Sequence, residues 1–245
     1  MYDPDRFEVA FIGGEKIAQD TWIFYFEKPA GFDFLPGQFV SVRMPGVDEG
    51  DPDHERLFSL ATSPEHAHLG FAVRMRDSVF KQRLASLKPG KLVHLGHPMG
   101  ELLLPDPVDR PVVMIAGGIG ITPFHSMIRH LYQRRHALPV HLVYANRRHA
   151  LAAWHDDFET LAKDWDALAL THVNEEGEGP VAHGTRSRHV RGRINGDILA
   201  LLYALHRDGL FYLVGPDPMV EAVSAQLLVM GVSPENLIVE SFYGY

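Results

Sequence analysis

The stretch that most constrains this chain is Pro111 to Pro123, Pro-Val-Val-Met-Ile-Ala-Gly-Gly-Ile-Gly-Ile-Thr-Pro, which reads as strand, glycine turn and helix start without interruption. Val112 to Ala116 form an unbroken apolar run, the pattern of a strand covered on both faces of a parallel sheet. Gly117, Gly118 and Gly120 follow, with nothing larger than Ile119 among them. Thr122 suits a helix N-cap and Pro123 the first helical position, so a helix is predicted to start there and run through Met127, Ile128 and Leu131. A bare turn ahead of a helix offers free N–H groups and the positive end of a dipole, which together favour a phosphate. The spacing is not G-x-G-x-x-G, because position 123 is Pro123, and no Gly-Lys-Ser/Thr follows. A tight connection without a ligand is the alternative reading of this stretch alone.

From Pro111 onward the chain alternates strands and helices. Strands are predicted at Val140 to Tyr144, Leu168 to Val173, Phe211 to Val214 and Leu237 to Phe242. Helices are predicted at Leu151 to Ala162, Gly196 to Leu205 and Met219 to Met230. This is a doubly wound α/β pattern, whose ligands bind beyond the carboxyl ends of the strands. The Gly117 turn, Asn146 to Arg148 and Gly215-Pro216-Asp217-Pro218 all fall at that edge.

The preceding part, from Phe7 to about Leu104, reads instead as short alternating strands. Phe7, Val9 and Phe11, then Trp22, Phe24 and Phe26, then Phe39, Val40 and Val42, then Phe71 to Met75 are separated by turns such as Gly13-Gly14, Pro36-Gly37 and Pro89-Gly90. A small antiparallel barrel is expected, interrupted by one helix from Ser78 to Leu87. Asp48 to Glu55 reads as a solvated acidic loop. Pro105 to Pro111 holds three prolines among its seven residues, an extended linker that places domain boundaries at 1–105 and 111–245. A length of 245 residues accommodates two such domains.

Composition narrows the chemistry. A net charge of −8 argues against a general nucleic-acid binder. No run approaches the length of a membrane span, and the first residues lack a basic region followed by an apolar one, so a cytoplasmic protein is expected. The absence of cysteine removes disulfides, thiolate nucleophiles and any iron–sulfur cluster held by this chain, so one-electron relays of that kind must lie in a partner. Fifteen histidines are many, but pairs such as His66/His68 and His125/His130 lack metal spacing backed by carboxylates. They read as solvated or core residues, and no metal site is expected.

Arg56-Leu57-Phe58-Ser59 resembles the Arg-x-Tyr/Phe-Ser flavin motif of the ferredoxin–NADP reductase superfamily. Pro36-Gly37-Gln38-Phe39-Val40, Phe71-Ala72-Val73-Arg74 with Ser78, Gly117-Gly118-Ile119-Gly120-Ile121-Thr122-Pro123 and Gly215-Pro216-Asp217-Pro218-Met219 follow in that family's order. The resemblance covers nearly the whole chain. It implies an antiparallel β-barrel flavin domain followed by a parallel-sheet nicotinamide domain, and a flavin-dependent NAD(P)H oxidoreductase passing hydride from nicotinamide to flavin N5. By this resemblance Arg56 binds a flavin phosphate, Phe58 packs on the isoalloxazine and Ser59 bonds near N5. Val73, Arg74 and Ser78 serve the pyrophosphate side, and Gly117, Gly118, Gly120, Thr122, Pro123, Gly215 and Pro216 hold the nicotinamide dinucleotide. Glu240, in a terminal Glu-Ser-Phe-Tyr-Gly-Tyr segment, relays protons or tunes the ring, while Phe242, Tyr243 or Tyr245 covers the face the nicotinamide must occupy.

FAD is implied ahead of FMN, although Arg76-Asp77-Ser78 carries less glycine than the family usually has. Val214 stands where relatives often carry a cysteine, which removes a thiol-assisted variant of the transfer. For the nucleotide, Arg147 and Arg148 favour a 2′-phosphate, whereas Asn174-Glu175-Glu176 repels one and favours NADH. Ferredoxin, flavodoxin or an oxygenase component is the implied acceptor. The alternatives are a flavoprotein subunit without turnover of its own and a reductase of free flavin or ferric siderophores.

Overall fold

The computed structural model describes residues 6–47, 50–51, 53–176 and 186–242. Two compact units emerge, one comprising Met1–Leu104 with Thr122–His130, the other Pro105–Ile121 with Leu131–Tyr245.

In the first unit β1 (Phe7–Ala18), β2 (Thr21–Glu27), β3 (Phe39–Arg43), β4 (Glu55–Ser59), β5 (His68–Arg74) and β6 (Leu92–Leu95) join in the order β4-β3-β6-β1-β2-β5. Every pairing is antiparallel. The bridge Leu60↔Phe71 brings the two end strands together and closes the barrel. Gly13-Gly14 is no turn: both residues stay inside β1, where the register shifts between Phe11 and Gly13. The glycines mark a bulge, and at Gly14 a Cβ would meet the Phe24 ring at 3.1 Å. The barrel interior is filled largely by phenylalanine, with Phe24, Phe26, Phe32, Phe71 and Phe80 all buried. α1 (Val79–Ala85) is shorter than the predicted helix and seals the core with Phe80 and Leu84.

The second unit carries a parallel sheet ordered β10-β9-β8-β7-β11-β12. Its strands are β7 (Val112–Gly117), β8 (Val140–Arg148), β9 (Leu168–Glu176), β10 (Ser187–Arg191), β11 (Leu210–Gly215) and β12 (Leu237–Ser241). β10 is absent from the sequence reading, since Ser-Arg-His-Val-Arg has neither apolar continuity nor clean alternation. β8 and β9 also run past the predicted ends into polar residues, because ladder pairing persists as far as Arg148↔Glu176. α4 (Gly196–Leu205) and α5 (Asp217–Met230) cover one face through Ile198, Leu202, Val220 and Leu227. Asn195 caps α4 by accepting from Ile198 N–H, worth about 1 kcal/mol. α3 (His155–Asp164) begins four residues later than predicted from Leu151, after a short 3-10 turn at His149–Leu151. Tyr144 of β8 meets Phe158 of α3 edge to face.

Candidate functional site

Beyond the carboxyl ends of the parallel strands, backbone rather than side chain dominates. β7 ends at Gly117, and Gly118–Gly120 winds as a 3-10 turn directly into α2 (Ile121–Gln133). Thr122 is therefore the buried second residue of the helix and not its N-cap, because the glycines begin the winding before it. Pro123 occupies the third helical position, where its missing N–H is still no loss. Gly118 adopts φ 55°, a conformation that β-branched residues resist. A Cβ on Gly117 would lie 2.6 Å from Met219 Sδ, and one on Gly120 2.5 Å from the Val214 carbonyl oxygen. The motif thus packs two glycine turns against each other: Gly117 beside Gly215, and Gly120 beneath the end of β11. Pro216 precedes α5, whose first turn holds Asp217.

The same edge carries the charges expected to read a ribose. Arg147 Nε donates to Glu176 Oε1 at 2.6 Å, and Arg193 pairs with Glu175 at 3.1 Å. The hydrogen bond from Arg147 to Glu176, and the attraction behind it, raise the guanidinium above its ordinary value. The two opposed sequence features, arginine and carboxylates, therefore engage each other. Glu240 lies in β12 opposite Val214, and burial raises its carboxyl above the ordinary value. Phe242 N–H donates to the Gly215 carbonyl, while Tyr243 and Tyr245 lie outside the described residues.

In the first unit the predicted flavin residues sit on β4, on β5 and just before α1. Leu57 is exposed and Ser59 buried, while Phe58 leans inward toward Phe71 and Phe80, with ring centroids 6.3 and 5.7 Å away. Arg56 is exposed, lies over the Phe80 ring at 5.9 Å and pairs with Asp53. Val73 is buried in β5, and Arg74 pairs with Asp20. Ser78 precedes α1 with its hydroxyl making no capping bond. Lys81 donates to the Arg74 carbonyl at 2.9 Å. Burial, then the like charges of Arg76, Arg74 and Arg56, push the Lys81 ammonium below its ordinary value. Four cations thus lie near one another, two of them already paired with carboxylates, Arg56 with Asp53 and Arg74 with Asp20.

The acidic loop is less solvated than its sequence implies: Asp51 pairs with Arg83, Asp53 with Arg56, and Glu55 with both Arg6 and Arg43. No charge pattern within the loop announces those partners, which come from β3, β4, α1 and the residue just before β1.

Residues 114–225 match the family model described as the oxidoreductase NAD-binding domain. The toluate 1,2-dioxygenase electron transfer component of Pseudomonas putida is 28% identical over 220 residues, covering 85% of this chain and 59% of its own length. The 2-halobenzoate 1,2-dioxygenase electron transfer component of Burkholderia cepacia is 30% identical, covering 86% of this chain and 59% of its own. The chain thus spans about three-fifths of the length of the curated relatives it matches. A ferredoxin–NADP+ reductase from Neisseria gonorrhoeae, solved with bound FAD and NADP, superposes with a TM-score of 0.81 at 18% identity, covering 98% of this chain and 99% of that one. The chain shares the two-domain fold of that reductase, in keeping with the fold class the sequence motifs imply. No helix among the described residues is long and apolar enough to cross a membrane.

Proposed function

We propose that the chain is a flavin-dependent NAD(P)H oxidoreductase, with a flavin domain at 1–105 and a nicotinamide domain at 111–245. The observation that carries this reading is the pair of glycine turns at Gly117 and Gly215. They open at the carboxyl edge of a parallel sheet, each ahead of a long helix, within the segment that matches the NAD-binding family model. The cationic group of Arg56, Arg74, Arg76 and Lys81 supplies the donor set a flavin phosphate requires, so the residues present fit both cofactors. When bound, the nicotinamide supplies a hydride to the flavin, and the reduced flavin passes electrons to a separate acceptor.

The protein's own residues bind and orient. Gly117, Gly118 and Gly120, with Thr122 and Pro123 in the first turn of α2, bring bare backbone N–H groups and a helix dipole toward the dinucleotide pyrophosphate. Gly215 and Pro216, packed against Gly117 and Met219, are assigned to the same dinucleotide. Arg56 exchanges Asp53 for the flavin phosphate, and Val73, Arg74 and Ser78 border the pyrophosphate of FAD, which we place here in preference to FMN. Phe58 would pack on the ring system, with Leu57 beside it on β4, and Ser59 would offer a hydroxyl near N5. Glu240 holds a proton more readily than an exposed carboxylate does, which suits a proton relay. Tyr245 is assigned to shield the ring. With Arg147 engaged by Glu176, a 2′-phosphate meets carboxylate before guanidinium, so NADH is the proposed donor. The acceptor is a ferredoxin, a flavodoxin or an oxygenase component, by analogy with the electron transfer components named above, and the setting is the cytoplasm. Purified protein is expected to be yellow and to bleach anaerobically with NADH. A yellow protein inert to both nicotinamides would be a flavin carrier without turnover and would overturn the proposal.

A further inference from the structure

One group of side chains in the second unit lies apart from the residues assigned above. His155 and Glu159 stand four positions apart on α3 and so share one helix face. His172 of β9 and His189 of β10 are direct partners across the parallel ladder, which puts both rings on the same face of the sheet. Their rings stack at 4.7 Å, and the His155 ring lies 4.5 Å from that of His172. One ligand atom from each of the four residues lies within 4.8 Å of every other. The group is largely withdrawn from solvent, with His172 at 2% and Glu159 at 8% exposure.

The carboxylate is held by more than imidazole. Glu159 Oε1 accepts from His172 Nε2 at 2.9 Å and from Ser187 Oγ at 2.5 Å, and His189 Nε2 lies 4.0 Å from the same oxygen. Burial opposes ionisation of Glu159, but these hydrogen bonds and the nearby imidazoles win and lower it to about 2. Burial, then neighbouring His172 and His149, lowers His155 to about 4. The His155 Nδ1 is buried without a hydrogen-bond partner.

Three imidazole nitrogens and one carboxylate oxygen form a closed set of four. With no thiolate among them and nitrogen in the majority, the set favours a borderline divalent ion such as zinc over magnesium or calcium, which take oxygen. Tetrahedral bonds of ~2.0–2.2 Å place ligand atoms roughly 3.3–3.5 Å apart. The observed separations of 2.9 and 4.0 Å from Glu159 Oε1 fall on either side of that value, and all four ligand atoms lie within 4.8 Å of one another. We propose that His155, Glu159, His172 and His189 form a structural site for a zinc-class divalent ion that pins the first turn of α3 to β9 and to the edge strand β10. Ser187 orients the carboxylate from outside the ligand set, as partners of metal ligands commonly do.

The test is cobalt titration of the full chain after dialysis against a chelator. The expected result is uptake of one equivalent with the intense visible absorption of tetrahedral Co²⁺, its loss on adding Zn²⁺, and a thermal midpoint raised by Zn²⁺ but not by Mg²⁺. His155→Asn and His189→Asn, both at half-buried positions and checked for fold by circular dichroism, are each expected to abolish the tetrahedral spectrum. Ser187→Ala is expected to weaken binding on the order of 10-fold. The double replacement His66→Ala and His68→Ala, on the surface of the other unit, is expected to leave it unchanged. Absence of stoichiometric uptake, or an undiminished tetrahedral spectrum in either asparagine variant, overturns the proposal. None of these readouts depends on bound flavin or on NADH oxidation, so the proposal stands or falls apart from the function proposed above.

Discussion

The two phosphate sites proposed above meet the same electrostatic demand by opposite means. In the barrel, Arg56, Arg74, Arg76 and Lys81 bring side-chain charges together from β4, β5, the stretch after β5 and α1. In the parallel-sheet unit, the Gly117–Gly120 turn brings no charged side chain at all and relies on backbone N–H groups ahead of α2. A side-chain site can be weakened one contact at a time, since each cation is individually replaceable. A backbone site depends on the main-chain conformation, and replacing a single glycine damages it as a whole.

The largest effect is therefore expected at Gly118. Its φ of 55° makes Gly118→Val strained by about 1–3 kcal/mol. Loss of a charge-assisted backbone bond adds about 1.5–3 kcal/mol. NADH affinity should fall on the order of 10²–10⁴-fold while the flavin spectrum stays unchanged, and equal loss of both cofactors would break the contrast between the units. Arg56→Ala comes next. Removing one of four cations should cost about 1.5–3 kcal/mol of flavin affinity, roughly 10–150-fold, as read by flavin release during dialysis. NADH binding to the other unit should persist, and undiminished flavin retention would remove Arg56 from the phosphate site.

A smaller change is expected at the ribose edge. Glu176→Gln frees Arg147 from an exposed pair, so the preference for NADPH relative to NADH should rise by up to roughly five-fold in kcat/KM. An unchanged ratio would show that the pair does not read the 2′ position. The smallest effect concerns Glu240. Its folded-state carboxyl is raised above the ordinary 4.5, so the native state binds the proton more readily than the unfolded one. Stability from this group falls as pH rises from about 4.5 through the raised value, and the penalty is complete above it. Glu240→Gln should be slightly more stable than the parent protein at neutral pH and lose that advantage below pH 4.5. Identical denaturation curves across this range would show a carboxylate that remains solvated.

Much of the architecture was legible because its causes are local. Apolar runs at Val112 to Ala116 and Phe211 to Val214 marked strands covered on both sides, and alternation around Val9 and Phe24 marked the barrel. Local chemistry misled where tertiary pairing overrode it. Gly13-Gly14 looks like a turn until β2 pairs across it, and Thr122 looks like a cap until the glycines ahead of it wind into the helix. β10 carries no strand pattern of its own and is a strand because β9 offers it a ladder. Arg56 and the glycine turns were identifiable as site candidates from motif order, but the engagement of Arg56 by Asp53 and of Arg147 by Glu176 was not.

By itself the sequence determined most of the elements, the change from antiparallel to parallel organisation, the glycine turns at the carboxyl edge of the sheet and the absence of any thiol chemistry. These follow from periodicity, backbone freedom and composition, which act over a few residues or over none. Only the tertiary structure decided which charges meet and which histidines gather. His155 and Glu159 are four residues apart and share a helix face by geometry alone. His172 and His189 come to the same point because parallel strands align them in register, and a shift of one residue would turn either ring to the opposite face.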